Sequence, residues 1–496
     1  MDTPLKQDTS ATPEQPAKKD FRSRCAANRP TRWVRFAIVA ALYLAWVIWM
    51  NNYWFLLGLP LLFDIYITGY IPFTWWKRSK NAAVRTVMSW VDAIVYALIL
   101  VYFIFNFVGQ NYQIPSSSLE KTLLTGDYLW VNKMVYGPRV PITPIHFPLV
   151  HNKMPLTGTN SYTSWPENEY RRLKGLRSVE AGDIVVFNFP AGDTVATNFE
   201  ESPEYYETLV DRYGWAEVNT NREKFGDVIY RPVDRRVNFV KRAVGLPGQR
   251  LKIVDDVIYI DGKAQKQPEH VQFVYIAATS RALTDEDILT LGIAPSDVAM
   301  PDNELNRQFM LSMLPKAGAD NYVYSLPLTT EMISRLKADG VLTDYAKASK
   351  LNIFKAPDLF PAGLSEDWTL ANYGGADGIL IPKKGMTVQR TPENWKLYKR
   401  VIRNYERHTD SYLAPDGTVY IDGKPAKTYT FAMDYYFMMG DNRDMSQDSR
   451  FWGFVPEDHV VGTPMFVLAS FDKDRPLTDG KIRWDRIFIS ANPDKK

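Results

Sequence analysis

Three consecutive hydroxyl residues, Ser116, Ser117 and Ser118, and one lysine, Lys241, are the residues whose type and setting suit chemistry. The serines stand in NYQIPSSSLEKTLLTGDYLWVNKMVYG (111–137), where the last long apolar run of the chain gives way to polar sequence. Serines there serve as loop or cap residues, or one of them is a nucleophile, which needs a base. The five histidines (His146, His151, His270, His408 and His459) show no HExxH or i,i+4 spacing. None has the turn-flanked strand setting of the serines and Lys241, so a Ser–His–Asp triad has no evident base. Lys241 lies mid-strand in NFVKRAVG and shares a face with Phe239 and Ala243, while Arg242 points the other way with Val240 and Val244. Burial on that face disfavours the ammonium, and a fall of about 2–3 pKa units makes the neutral amine a usable base. The same pattern also suits a structural lysine whose stem is buried and whose ammonium reaches water.

The elements that must position these groups begin with a membrane anchor. Residues 1–32 are polar and basic, and no short apolar segment with a small-residue cleavage site follows, so they read as a cytoplasmic tail. Three apolar runs come next, about Trp33–Met50, Tyr53–Phe73 and Val87–Val108. Each is long enough to cross roughly 30 Å of hydrocarbon, the second less certainly because it holds Pro60, Asp64 and Pro72. Basic residues crowd the tail and the loop with Lys77, Arg78, Lys80 and Arg85, while the Asn51 side has none. That asymmetry places both basic segments in the cytoplasm and everything from residue 111 onward outside it. The anchor is thus 33–110, in the cytoplasmic (inner) membrane, with membrane lipid as a partner.

Chain length and charge bound the rest. At 496 residues there is room for two or three domains. A net charge of +3 gives no reason to expect nucleic acid as a partner. The single cysteine, Cys25, rules out an internal disulfide framework or a thiolate metal cluster, and no metal site is expected. Beyond the anchor, YLWVNKMVY, IVVFNF and NFVKRAVG read as strands, and VIYIDGK as a hairpin arm turning at Asp261-Gly262. Residues 264–431 change character and read as a mixed α/β insert, with helix starts at Thr284, at Thr329 or Thr330, and at Thr391. The insert closes on a second Asp-Gly hairpin, VYIDGK. The last block, 435–472, carries Asp441, Arg443, Asp448 and Arg450 between strand-like runs, and KIRWDRIF reads as a final edge strand.

Taken in order, IPSSSLEKTLLTGDYLWVNK, GDIVVFNFP, FVKRAVGLPG and MMGDNRDMSQDSRFWGFVP resemble the four signature blocks of the bacterial type I signal peptidases, a Ser/Lys-dyad membrane protease family. The resemblance implies a mainly β catalytic domain, 111–263 with 432–496, carrying an N-terminal transmembrane helical anchor and the accessory insert 264–431. It implies Ser118 as nucleophile and Lys241 as general base, with Ser116 donating to the oxyanion and Ser446 orienting the lysine. Asp441, Arg443, Asp448 and Arg450 match a supporting charge network. Phe187, Phe239, Met438 and Met439, at or beside the motifs, are candidates for a dry pocket around Lys241. No cofactor is implied, and the expected substrates are signal-peptide-bearing precursors cut after small residues. A catalytically silent relative that binds exported proteins, or a protease of one dedicated precursor, is the alternative. Ser117 replaces the usual Gly, and Glu120 and Lys121 depart from the family run after the nucleophile, where they are expected beside the substrate.

Overall fold

The structure, a computed structural model, describes residues 30–190, 192, 194–199, 206–351, 359–364 and 367–495. Most of the basic tail expected over 1–32, with Cys25, lies outside the described residues. The chain divides into two compact units, Met1–Ile99 and Leu100–Lys496.

In the first unit, helix α1 (Pro30–Met50) is apolar nearly throughout and carries no acidic residue in its first turn. The second apolar run is not the continuous helix that its length suggests. It divides into a 3₁₀ turn (Tyr53–Leu57), α2 (Gly58–Phe63) and a π turn (Asp64–Thr68). As a whole it is shorter than the roughly 20 residues a regular spanning helix requires. It nevertheless runs back along α1. Phe55 stacks near Trp46 at 4.8 Å and its carbonyl accepts from Tyr43 Oη at 2.6 Å, while Phe63 meets Phe36 at 5.3 Å and Trp33 at 6.1 Å. Gly58 permits the approach, since a Cβ there would fall 2.2 Å from Tyr43 Oη. Asp64, the residue that made this run doubtful, ends it: its carboxylate accepts from the Thr68 hydroxyl and from the backbone N–H groups of Tyr70 and Ile71. Among the described residues, two helices are long and apolar enough to cross a membrane, α1 and the helix Ala82–Val108, whose regular part is α3 (Ala82–Phe103).

The second unit is mainly β. Its principal sheet contains β1 (Gly109–Gln113), β2 (Asp127–Asn132), β3 (Ile184–Asn188), β4 (Asn238–Gly245), β5 (Tyr435–Met439), β6 (Val455–Pro456) and β7 (Val460–Ser470). All pairs are antiparallel, in the order β1-β2-β7-β3-β4-β5-β6. β3 is buried at every residue. Its alternate side chains join different cores: Ile184 and Val186 pack with Leu119 and Leu129, whereas Val185 and Phe187 pack with Ala243, Met438 and Trp452. A strand covered on both faces explains why IVVFN reads as an unbroken apolar run.

The hairpin Arg250–Val254/Val257–Ile260 leads to Asp261 and Gly262, both at positive φ as the Asp-Gly pair predicts, and Asp422-Gly423 repeats this. The expected helices form over Asp285–Leu291, Thr330–Ala338 and Pro392–Arg400, capped by Thr284, Thr329 and Thr391. Residues 273–347 make a three-stranded sheet with its own apolar core. The later part of the insert behaves differently: Trp395, Tyr398, Val401 and Phe431 share one core with Leu251, Phe437 and Phe454. KIRWDRIF does not form the expected edge strand. It has only a short turn at Trp484–Arg486 and a bridge at Ile482, because Arg483 and Arg486 are drawn inward, the latter to Asp127 at 2.6 Å.

Candidate active site

β1 and the turn after it deliver the serines. Ser116 is extended and exposed, and Ser117–Leu119 form a single 3₁₀ turn that buries Ser118 and Leu119. Leu119 anchors the turn in the core below, which fixes the position of the hydroxyl beside it. Lys241 comes from the middle of β4, opposite Val185 of β3, and is 3% exposed. Its Nζ donates to Ser118 Oγ at 2.8 Å and to the Val240 carbonyl at 3.1 Å. The Phe239 ring centroid lies 5.4 Å from the same nitrogen. Burial pushes the Lys241 pKa down to about 8, against the opposing pull of Asp448 and Asp441.

A cleft of about 490 Å³ opens over this pair, walled by Ile114, Val186, Phe239, Val240, Met445 and the three serines. No histidine lines it. Of the pocket candidates, Phe239 is therefore in the wall. Phe187 and Met438 lie in the core together with Ala243 and Trp452. Met439 belongs to a different core, with Tyr435 and Phe437, because adjacent residues of a strand face opposite ways.

The chain from Gly440 to Arg450 wraps behind the serine turn. The Asn442 N–H donates to the Ser118 carbonyl at 3.1 Å, and its side-chain amide donates to the Ser117 carbonyl at 3.3 Å. Gly440 is pressed so close that a Cβ would sit 2.5 Å from Ser118 O and 2.2 Å from Ser446 Oγ. Only glycine lets this backbone pass. Ser446 is buried, and its hydroxyl makes no hydrogen bond. Asp448 accepts from Arg450 through both carboxylate oxygens, at 2.9 and 2.8 Å, and from the Gly440 N–H at 3.1 Å. Asp441 is paired not with Arg443 but with Arg242, at 2.8 and 2.7 Å, and accepts from Thr122 Oγ1 at 2.8 Å. Arg443 donates to the Gly440 carbonyl instead. Arg242 was not among the expected site residues; alternation placed it with Val240 and Val244 opposite Lys241, and its burial there is what gives it a need for an acid.

Glu120 and Lys121 do not face the cleft as expected. Glu120 is buried, which pushes its pKa up to about 7. Lys121, at φ 72°, sends Nζ to the carbonyls of Leu291 and Gly292 at 2.8 and 2.6 Å. It thereby caps the helix Asp285–Leu291 of the insert and ties that module to the serine turn.

The model of the family described as signal peptidase, peptidase S26, matches residues 87–290 and 423–469, just over half of the chain. The chain belongs to this family. Both halves of the matched region carry the site, since the first contains Ser118 and Lys241 and the second the 440–450 wrap. The chain is similar to signal peptidase I of Buchnera aphidicola (subsp. Acyrthosiphon pisum), 22% identical over 415 residues, covering 83% of each. It is also similar to signal peptidase I of Haemophilus influenzae, 21% identical over 418 residues, covering 84% of this chain and 78% of that protein. A shorter match to signal peptidase I of Helicobacter pylori is 42% identical over 67 residues, 12% of this chain and 23% of that protein. This member of the S26 family is a serine protease with a mainly β catalytic fold.

Proposed function

We propose that this S26 protease is a membrane-anchored endopeptidase that removes N-terminal signal peptides from exported proteins, with Ser118 as nucleophile and Lys241 as general base. The observation that carries this reading is the buried 2.8 Å contact from Lys241 Nζ to Ser118 Oγ in a cleft lined by no histidine. The neutral amine accepts the hydroxyl proton as Oγ attacks the scissile carbonyl. The resulting ammonium then donates that proton to the departing amine, and water, deprotonated by the same lysine, releases the acyl group. Ser116 faces the same cleft and supplies a hydroxyl to the oxyanion. Ser446, whose buried Oγ makes no hydrogen bond in the resting site, is the residue to which the resemblance gives the orienting of the lysine, a contact that would have to form on substrate binding.

The substrate backbone has an edge to pair with. In β4 the N–H and C=O of Ala243 bond toward residues 182 and 183, and the carbonyl of Val237 bonds toward Phe189, so odd-numbered residues face β3. Even-numbered ones face the opposite side, where β5 pairs only as far as Arg242. The backbones of Asn238 and Val240 are therefore turned toward the cleft, the Val240 carbonyl also accepting from Lys241, as an edge for strand addition that presents alternate side chains to the cleft.

The pH profile tests the base assignment. With a lysine near pKa 8 acting in its neutral form, kcat/KM for a signal-peptide substrate rises about tenfold per pH unit below pH 8 and levels off above it. A profile flat from pH 6 to 9, or an absence of signal-peptide cleavage at any pH, defeats the proposal.

The anchor reading extends to sidedness. The 53–68 segment returns beside the start of α1, so the loop bearing Lys77, Arg78, Lys80 and Arg85 comes back to the side from which α1 began. Helix Ala82–Val108 then carries the catalytic domain across, to the extracytoplasmic face. A reporter fused after Gly137 should be exposed outside the cytoplasm and one after Lys80 inside. Both reporters on one side of the membrane would refute this.

A further inference from the structure

A second cavity, of about 160 Å³, lies where the chain leaves α3. Its lining includes Phe105 and Asn106 of the π turn that ends this helix, and three cations, Lys133, Arg139 and Arg235. Lys133 and Arg139 are near neighbours in sequence, and the fold brings Arg235 to them from 96 residues beyond Arg139. Among the described residues lining the cavity, the only carboxylate is Asp234. Its Oδ2 is occupied by the N–H and hydroxyl of Thr143, and it stays 4.0 Å from Arg235.

The three cations donate mainly to neutral oxygens. Lys133 reaches the Phe105 carbonyl and Gln110, Arg139 the Asp458 carbonyl and Asn188, and Arg235 Thr143 and the His151 carbonyl. Two guanidiniums and a lysine face Asp234, with the Asp458 carboxylate also acting on Arg139, and the remaining positive excess in this partly desolvated hollow is one that an anion would neutralise. Burial, reinforced by Arg139 and Arg235, lowers the Lys133 pKa to about 7, a strain that a bound anion would relieve. Leu149 of the lining is exposed, and so are Ile145 and Phe147, which alternate in sequence with the lining residues His146 and Pro148. Cations inside, apolar side chains outside and a membrane-length helix immediately before is the arrangement that an acidic lipid meets at an interface.

We propose that Lys133, Arg139 and Arg235 form a binding site for a phosphate anion, and that the headgroup phosphate of an anionic membrane lipid is its source. The lipid source rests on the anchoring proposed above, whereas the anion site does not. The site also adjoins the cleft. Tyr112 and Asn238 line both cavities, and Arg139 donates to Asn188 Oδ1 at 2.8 Å while Asn188 donates to Asn238 Oδ1 at 3.0 Å. An occupied site thus steadies the strand edge on which the substrate is proposed to lie.

The test uses the full chain in neutral detergent micelles, titrated with phosphatidylglycerol, phosphatidylcholine or inorganic phosphate, with binding read by native mass spectrometry and by the shift in thermal midpoint. Phosphatidylglycerol should bind more tightly than phosphatidylcholine. Lys133→Gln with Arg139→Gln should weaken it at least about tenfold, by loss of charge-assisted contacts, and Lys133→Arg should retain it. Inorganic phosphate binding alone, lost in the same variant, would keep the anion site and overturn the lipid source. Equal binding of both lipids, unchanged in the charge variant, would overturn the proposal. If the double variant does not fold, Lys133→Gln alone decides between these outcomes. None of these readouts depends on cleavage, so they stand apart from the protease assignment.

Discussion

Ser118→Ala and Lys241→Met should each remove cleavage of a signal-peptide substrate, lowering kcat by roughly 10⁴–10⁶, and the double variant should be no worse than either. The two side chains form one hydrogen-bonded unit, so loss of either member forfeits the whole of its contribution. Stability should move in opposite directions to activity for the lysine. Its folded pKa, about 8, lies below the ordinary 10.5, so the unfolded chain binds the extra proton between those values. Stability therefore rises with pH across about 8 to 10.5, and below that window the buried lysine costs a constant amount, on the order of 3 kcal/mol. Lys241→Met should accordingly be inactive and more resistant to urea at pH 7 by up to about that amount. An inactive variant that is also less stable would mean that the lysine is structural. The comparison separates a catalytic role from a packing role within a single protein.

Asp441→Ala should destabilise the catalytic domain by about 3–5 kcal/mol, the usual consequence of leaving a buried charge without its partner. Arg242 is 3% exposed and Asp441 fully buried, and they are joined by two hydrogen bonds. After the substitution Arg242 keeps one carboxylate, Asp494, at 3.0 Å and partly in water, beside the neutral oxygens of Gly182 and Asn492. Asp441 also fixes the peptide on which Asn442 stands, and Asn442 holds the carbonyls of Ser117 and Ser118. Cleavage should therefore fall further than the folded fraction does. Urea unfolding of wild type, Asp441→Ala and Asp441→Ala with Arg242→Met makes the distinction, since removing both charges should recover part of the loss. A change below about 1 kcal/mol in the single variant would contradict a buried ion pair of this kind.

The parts legible in the sequence were those with local causes. Asp-Gly turns require two residues at positive φ, threonines announced three helix starts, and β3 and β4 read as strands because their side chains alternate or are apolar throughout. The convergence of the four motif blocks on one cleft also followed the resemblance: Ser118 and Lys241, 123 residues apart, meet at 2.8 Å. What could not be read has nonlocal causes. Asp441 has arginines two and nine positions away in sequence, but its partner is Arg242, 199 residues distant, because β4 and β5 pair there. Pro60, Asp64 and Pro72 marked 53–73 as the doubtful run, but that the segment stops after Thr68 was not legible, since three donors are captured by Asp64 at that turn. Nor did any pattern within 264–431 show that its later part shares a core with β5.

Ser118, and neither neighbour, should form the covalent bond with substrate. The most direct test is to incubate the purified full chain with an ester analogue of a signal-peptide substrate, quench in acid during turnover and map the acylated peptide by mass spectrometry. The acyl group should be found on Ser118, be absent from Ser118→Ala and fail to accumulate in Lys241→Met. Acylation of Ser116, Ser117 or Ser446, or undiminished acylation in Ser118→Ala, would contradict this.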